Sequence, residues 1–263
     1  MKKIIALIMA IALTALCFVG CAKKKPEDDF KNAQKAGKLV VGITVFEPMD
    51  YKDADGNWIG FDAELAKAFA ESLDLEVEFR EIEWDNKVLE LNSYNVDIIW
   101  NGMTLTDEVT SAMDCSNPYC NNQQIVIVPA SKASEYDTVA KVKSLTFAVE
   151  KGSAGQEQAE AIGANVKEVV DQATALSEVK SGNADAAIID SLMAAAMVGP
   201  GTNYADLTYT VGLNSEEYGV GFRKGSDLVE KLNEFFVAYY KSGDMQKLAE
   251  KYGVQAALIP QTK

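Results

Sequence analysis

Thr104 and Thr106 follow an Asn101-Gly102 break and stand just ahead of Asp107 and Glu108. Short hydroxyl side chains followed by acids mark a helix N-terminus, where the hydroxyl caps free amides and the acids face the positive end of the dipole. Gly102 leaves its backbone open to approach, so carbonyl, amide and hydroxyl groups converge there on one small polar ligand; the same residues also make an ordinary capped turn. A second group is Lys151-Gly152-Ser153-Ala154-Gly155, a glycine-bracketed turn before a predicted helix over residues 156–162. The first amides of such a helix have no internal partner and suit an anion. The turn lacks the spacing and the Lys-Ser/Thr ending of a nucleotide loop. A third candidate is Asp190, which ends the apolar run 184–189 (ADAAII). It is either the cap of a helix over 191–197 or a ligand to a cation.

Composition narrows the chemistry. The 263 residues contain no histidine, which excludes Ser-His-Asp and Cys-His catalysis and His-based zinc sites. A formal net charge of −14, lower still without Lys2 and Lys3, argues against nucleic acid, whose phosphates need Lys and Arg. The two arginines, Arg80 and Arg223, lie in segments not expected to reach a cleft. No metal site and no cofactor is expected.

The elements that must position these groups alternate as strands and helices. After a short helix over 30–36, strands are expected over 39–43, 58–61, 75–80 and 96–100, with helices over 63–73, capped by Asp62, and 86–93. An apolar crossing at 123–129 leads to a second strand–helix series: strands 144–150, 166–170 and 184–189, with helices between and after them. A second crossing at 218–222 returns the chain to helices over 228–242 and 245–252. This pattern is α/β, with two lobes on two parallel-type sheets joined by two crossing segments. The expected division is 38–125 with 219–263 as one lobe and 126–218 as the other.

Residues 1–20 read as a secretory leader: Lys2 and Lys3, an apolar run over 4–19, then Gly20 before Cys21. The run is shorter than a membrane-spanning helix normally needs. Phe18-Val19-Gly20-Cys21 resembles a bacterial lipobox, which implies lipidation of Cys21 and a chain tethered outside the cytoplasmic membrane. Residues 21–37 then form a charged tether and the first helix. Cys115 and Cys120 are left as either a disulfide or two buried thiols.

The order of features resembles the polar amino-acid solute-binding proteins of ABC importers, with the type II periplasmic binding fold. The resemblance covers residues 37–252 and rests on KLVVGIT, Pro48-Met49, DADGNWIGFDAELAKAFA, NVDIIWNGMTLTDEV, SNPY, FAVEKGSAG, NADAAIID and YGVGFRKGSDL in sequence. It implies that Phe46 and Phe61 wall the ligand's apolar portion. It implies that the Gly102 carbonyl and Thr104 hydroxyl take an α-ammonium, with Asp190 as counter-charge from the other lobe. The amides of Thr104 and of Ser153 and Ala154 would take the carboxylate. Asn101 flanks this group, and Trp100 is either a cleft residue or a core tryptophan. Glu47 beside Phe46 either favours a cationic ligand or is a solvated loop acid. One departure stands out: the family's carboxylate-clamping arginine is Val109 here, so either Lys151 substitutes as a point charge or the ligand's acid is amidated, displaced or absent. The implied protein is a monomeric, lipid-anchored binding protein serving an importer permease; the alternatives are a lyase-like enzyme on the same fold or a ligand-sensing domain.

Overall fold

The computed structural model describes residues 25–262. The leader, its cleavage point and Cys21 lie outside the described residues. Helix α1 (Asp29–Ala36) ends at Gly37, whose φ of 70° a glycine adopts without strain. The β-branched run of β1 (Lys38–Ile43) follows, fully buried in its second half. A small hairpin, β2 (Tyr51–Lys52) and β3 (Trp58–Ile59), turns on Asp53, whose Oδ1 accepts the Asp55 and Asn57 amides at 2.9 Å. Helix α2 (Phe61–Ser72) starts two residues earlier than the sequence suggests, with Gly60 at its N-cap, so Asp62 does not cap it. After β4 (Glu76–Glu81) come α3 (Lys87–Asn92), β5 (Ile98–Thr104), α4 (Asp107–Ala112), β6 (Asp114–Cys115) and β7 (Cys120–Asn122).

The chain then builds a second sheet from β8 (Gln124–Pro129), α5 (Val139–Val142), β9 (Thr146–Glu150), α6 (Ala154–Ala161), β10 (Asn165–Val169), α7 (Gln172–Lys180), β11 (Ala186–Asp190), α8 (Ser191–Met197) and β12 (Leu207–Gly212). It returns through β13 (Glu216–Phe222) and closes with α9 (Leu228–Lys241) and α10 (Asp244–Lys251). The first sheet has the order β4-β1-β5-β13-β6, with β7 also on β13; the second is β10-β9-β11-β8-β12. Each is parallel over three strands, and the strands that follow the crossings, β13 and β8, are antiparallel to their neighbours. The chain therefore changes sheets between Asn122 and Gln124 and again between Gly212 and Glu216, where the sequence suggested 125/126 and 218/219. An apolar run cannot by itself say which sheet it joins.

The first lobe's core is aromatic. The Trp100 ring lies 6.4 Å from Phe69, 6.3 Å from Tyr119 and 5.6 Å from Phe236, all buried. Each such burial contributes about 1.5–3 kcal/mol. Arg223 is also buried: its Nε donates to Asp29 at 2.9 Å and its Nη1 to the Leu91 and Val96 carbonyls at 2.7 Å, behind the sheet. Arg80 donates to Glu78 at 2.6 Å and to the Asn95 carbonyl. Both arginines are thus structural, as their segments suggest.

Cys115 and Cys120 are free thiols. They pair with Gly221 and Tyr218 of the same strand, three positions apart. At about 3.3 Å per residue that is some 10 Å, beyond the span of a disulfide. Among the described residues no helix is long and apolar enough to cross a membrane.

Candidate functional site

The carboxyl ends of β5, β9 and β11 meet in one cleft between the lobes, the place where open α/β sheets receive ligands. The enclosed space is only about 30 Å³, so the cleft stands nearly shut and must open to admit a solute. From the first lobe come Trp84, Lys87, Asn101, Gly102, Met103, Thr104, Thr106, Glu108 and Val109; from the second come Glu150, Gly152, Ser153, Ala154, Glu157, Gln172 and Asp190.

Gly102 is held from behind. Its amide donates to Asp62 Oδ2 at 2.6 Å, and the same oxygen accepts the Tyr119 hydroxyl at 2.7 Å. The acid that sequence pattern assigns to capping α2 thus fixes a bulge within β5, which does not break at Asn101-Gly102 as the sequence suggests but runs on, paired with β13, to Thr104. Burial pushes the Asp62 carboxyl up to about 7, opposed by these donors. Gly102 has φ of +54°, and a Cβ there would stand 2.4 Å from the Phe46 ring. Asn101 ties this part of β5 to the loop after β1: its Oδ1 accepts the Thr44 amide and its Nδ2 donates to Thr44 Oγ1, both at 2.8 Å. The Thr104 hydroxyl donates to Glu216 Oε1 at 2.9 Å, which leaves its lone pairs as acceptors.

Asp190 occupies the N-cap position of α8, yet its side chain makes no cap hydrogen bond. The carboxylate turns into the cleft instead. Oδ1 accepts from Tyr218 Oη at 2.6 Å, from Gln124 Nε2 at 3.0 Å and from Asn122 Nδ2; Oδ2 accepts from Gln172 Nε2. Asn122, Gln124 and Tyr218 sit on the strands flanking the crossings, so the acid is fixed to the segments joining the lobes. Burial and nearby Glu216 push the Asp190 carboxyl up to about 7 against the pull of these donors. A buried acid with oriented donors behind it and a cavity before it suits a cation.

Of the residues suggested by sequence, Asn101, Gly102, Thr104, Ser153, Ala154 and Asp190 come together around this cavity. The other suggested residues lie elsewhere. Phe61 is fully buried against Tyr119 in the first lobe, and Trp100 is the core tryptophan described above. Phe46 is buried behind Gly102, edge-on to Tyr218 at 6.2 Å, so it supports the bulge rather than lining the cavity. Glu47 is half-buried outside the lining, its carboxyl raised by desolvation and acting on Tyr51. Lys151 points away, paired with Asp85 at 3.1 Å on the exposed rim. The Ser153 amide already donates to the Glu150 carbonyl at 3.2 Å, while Ala154 opens α6.

Sequence reasoning missed Trp84, Lys87, Glu150, Gln172 and the rim acids Glu108 and Glu157. Glu150 carried a usable signal: it ends the apolar run TFAVE just as Asp190 ends AAIID. Trp84 and Lys87 follow β4, Trp84 in a 3-10 turn and Lys87 at the start of α3, and only the fold brings that segment over the cleft. Lys87 is the one cation in the lining, buried, with its Nζ donating to the Gly152 carbonyl at 2.8 Å.

Known proteins share this architecture over nearly the full length. The arginine-binding extracellular protein ArtP of Bacillus subtilis is 28% identical over 260 residues, covering 96% of this chain and 98% of its own. The structure of an ABC uptake transporter substrate-binding protein from Streptococcus pneumoniae with bound histidine superimposes with a TM-score of 0.80 at 30% identity, covering 89% of this chain and 99% of that one. An ancestral amino acid-binding protein, a precursor of cyclohexadienyl dehydratase, superimposes with a TM-score of 0.78 at 31% identity over 85% of this chain and 98% of its own. With its residues 39–255 matching the family profile, this chain belongs to the bacterial extracellular solute-binding proteins, family 3.

Proposed function

We propose that this member binds an α-amino acid or a close derivative with a free amine, without turning it over, and presents it to an ABC importer permease. The observation that carries the reading is Asp190 and the Gly102–Thr104 end of β5, from opposite lobes, facing one cavity. The ammonium lies between the Asp190 carboxylate, the Thr104 hydroxyl and the Gly102 carbonyl. Lys87 replaces the arginine absent at Val109 and, with the first amides of α6, receives the carboxylate. A few charge-assisted bonds of about 1.5–3 kcal/mol each suffice for micromolar affinity. Because the two charge sets lie on different lobes, only the closed state satisfies both, and the solute selects it. The relatives named for arginine and histidine support the amino-acid reading.

In the same reading the protein acts as a monomer, its two lobes divided where the chain passes between sheets, tethered through lipid on Cys21 to the outer face of the membrane. Isothermal titration of the purified protein with the common α-amino acids and their amides tests the solute. At least one is expected to bind with micromolar or tighter affinity, and Asp190→Asn is expected to remove that binding. Binding that survives Asp190→Asn unaltered overturns the assignment.

A further inference from the structure

Glu150 and Asp190 end neighbouring parallel strands, β9 and β11, and both reach the cavity from the second lobe. Their surroundings differ. Asp190 is matched by four donors. Glu216 behind it is matched by Thr104, Asn122, Gln124 and Asn214. Glu150 is only 4% exposed, and among the described residues no donor reaches its Oε1. Gln172 beside it gives Glu150 a weak side-chain hydrogen bond, the smallest influence on its carboxyl, while its amide nitrogen is held by Asp190 Oδ2 and its amide oxygen by the Asp190 amide, so Oε1 stays unmatched. Lys87 acts on Glu150 only at a distance, its ammonium being directed at the Gly152 and Trp84 carbonyls. A buried carboxylate oxygen without a partner is costly, and its cost is relieved by a cation or by a proton.

The charge balance of the lining points the same way. Glu108, Glu150, Glu157 and Asp190 face one cation, Lys87. A plain zwitterion sets its ammonium on Asp190 and its carboxylate on Lys87, and so leaves the excess of acids as it was. A solute with a further positive group reduces it. Burial, with Asp190 and Asp171 nearby, pushes the Glu150 carboxyl upward, as expected of an acid whose counter-charge arrives with the ligand.

We infer that the solute carries a second cationic group, beyond its α-ammonium, and that Glu150 Oε1 receives it. The class is a basic amino acid, with an ammonium or guanidinium on its side chain. This rests on the amino-acid reading above and names its substrate class. Glu150 is then the specificity residue of the site, and the acids at the mouth, Glu108 and Glu157, draw cations toward it.

Titration calorimetry on the wild type and Glu150→Gln tests this with L-arginine, L-lysine and L-ornithine, with L-citrulline and L-norleucine as uncharged counterparts, and with putrescine as a diamine lacking a carboxylate. The wild type is expected to prefer arginine or lysine to its neutral counterpart by at least tenfold, and Glu150→Gln to shrink that ratio by tenfold or more. The melting temperature of the empty variant is expected to equal or exceed that of the wild type, because an unpaired buried acid has been removed. A wild type that binds citrulline or norleucine as tightly as the basic amino acids overturns the inference while the amino-acid reading stands. An unchanged ratio in a folded Glu150→Gln variant does the same. Should that variant fail to fold, the wild-type ratio decides alone. Putrescine binding that Glu150→Gln weakens, with no amino acid bound, overturns the amino-acid reading and leaves the second-cation site standing. A wild type that binds none of these probes overturns both.

Discussion

Lys87 Nζ donates to the Gly152 carbonyl at 2.8 Å, a bond from α3 of one lobe to the β9–α6 turn of the other. The ammonium lies 4.9 Å from the Trp84 ring centroid. Gly152 has φ of +71°, and a Cβ there would stand 2.8 Å from Asp85 Cα, so glycine lets the turn close onto the rim. Lys151 and Asp85 repeat the crossing outside at 3.1 Å. An exposed pair of that kind contributes about 0–1 kcal/mol, so the buried Lys87 contact dominates closure.

Lys87→Met keeps the apolar stem and removes the charge. Affinity for the solute is expected to fall about 10- to 100-fold, the worth of one charge-assisted bond of about 1.5–3 kcal/mol. The empty variant is expected to melt no lower, because burial already disfavours the ammonium and holds its pKa below the ordinary value. Calorimetric titration and a thermal melt check both; affinity within twofold of the wild type removes Lys87 from the site.

Asp190→Ala and Asp190→Asn separate binding from stability. Both are expected to abolish binding. Alanine also strands the Asn122, Gln124, Gln172 and Tyr218 donors, each at about 1–3 kcal/mol, so it is expected to melt several degrees below the asparagine variant. Equal melting temperatures would show that the network relaxes without an acceptor.

The empty protein is expected to lose stability as pH rises from about 4 to about 7. Folding raises the Asp190 carboxyl from 3.8 to about 7, so over that window the folded state holds a proton the unfolded chain has released. The contribution is complete at low pH and is lost through the folded pKa. Cationic solute favours the charged carboxylate, so affinity is expected to climb over the same window with proton release. Titrations in buffers of different ionisation heat read that proton directly, and pH-independent affinity would refute the linkage.

Gly102→Ala forces a side chain into a left-handed conformation and against the Phe46 ring 2.4 Å away. A loss of about 1–3 kcal/mol in stability is expected, with weaker binding because the carbonyl beside Thr104 shifts. Chemical denaturation measures the first and titration the second.

Val109→Arg places a guanidinium in the lining at the first turn of α4. Neutral amino acids are expected to bind about tenfold tighter through a bidentate carboxylate contact, and basic ones more weakly. No gain for any neutral amino acid would mean the carboxylate faces elsewhere.

Much of the architecture was legible in one dimension because period and punctuation are local. The apolar run ended by Asp190 marks a strand and its carboxyl end, whereas the break at Asn101-Gly102 marks only a bulge in β5, which runs on to Thr104; hydroxyl-acid pairs mark helix starts, as at Thr106, whose Oγ1 accepts the Val109 amide. The absence of histidine and the strong acidity fixed what the chemistry is not. What sequence alone could not determine is which side of an element faces what. Phe46 and Phe61 read as ligand walls but fill the core around Gly102 and Tyr119; Asp62 reads as a cap but holds the Gly102 amide. Lys87 of the first lobe and Glu150 of the second, with β5 to β8 between them in the chain, share a cavity only because the segment after one sheet's strand folds over the other's strand ends. Tertiary packing decides such pairings because burial, charge and hydrogen bonding act through space, whereas the sequence pattern records only the repeat of one helix or strand.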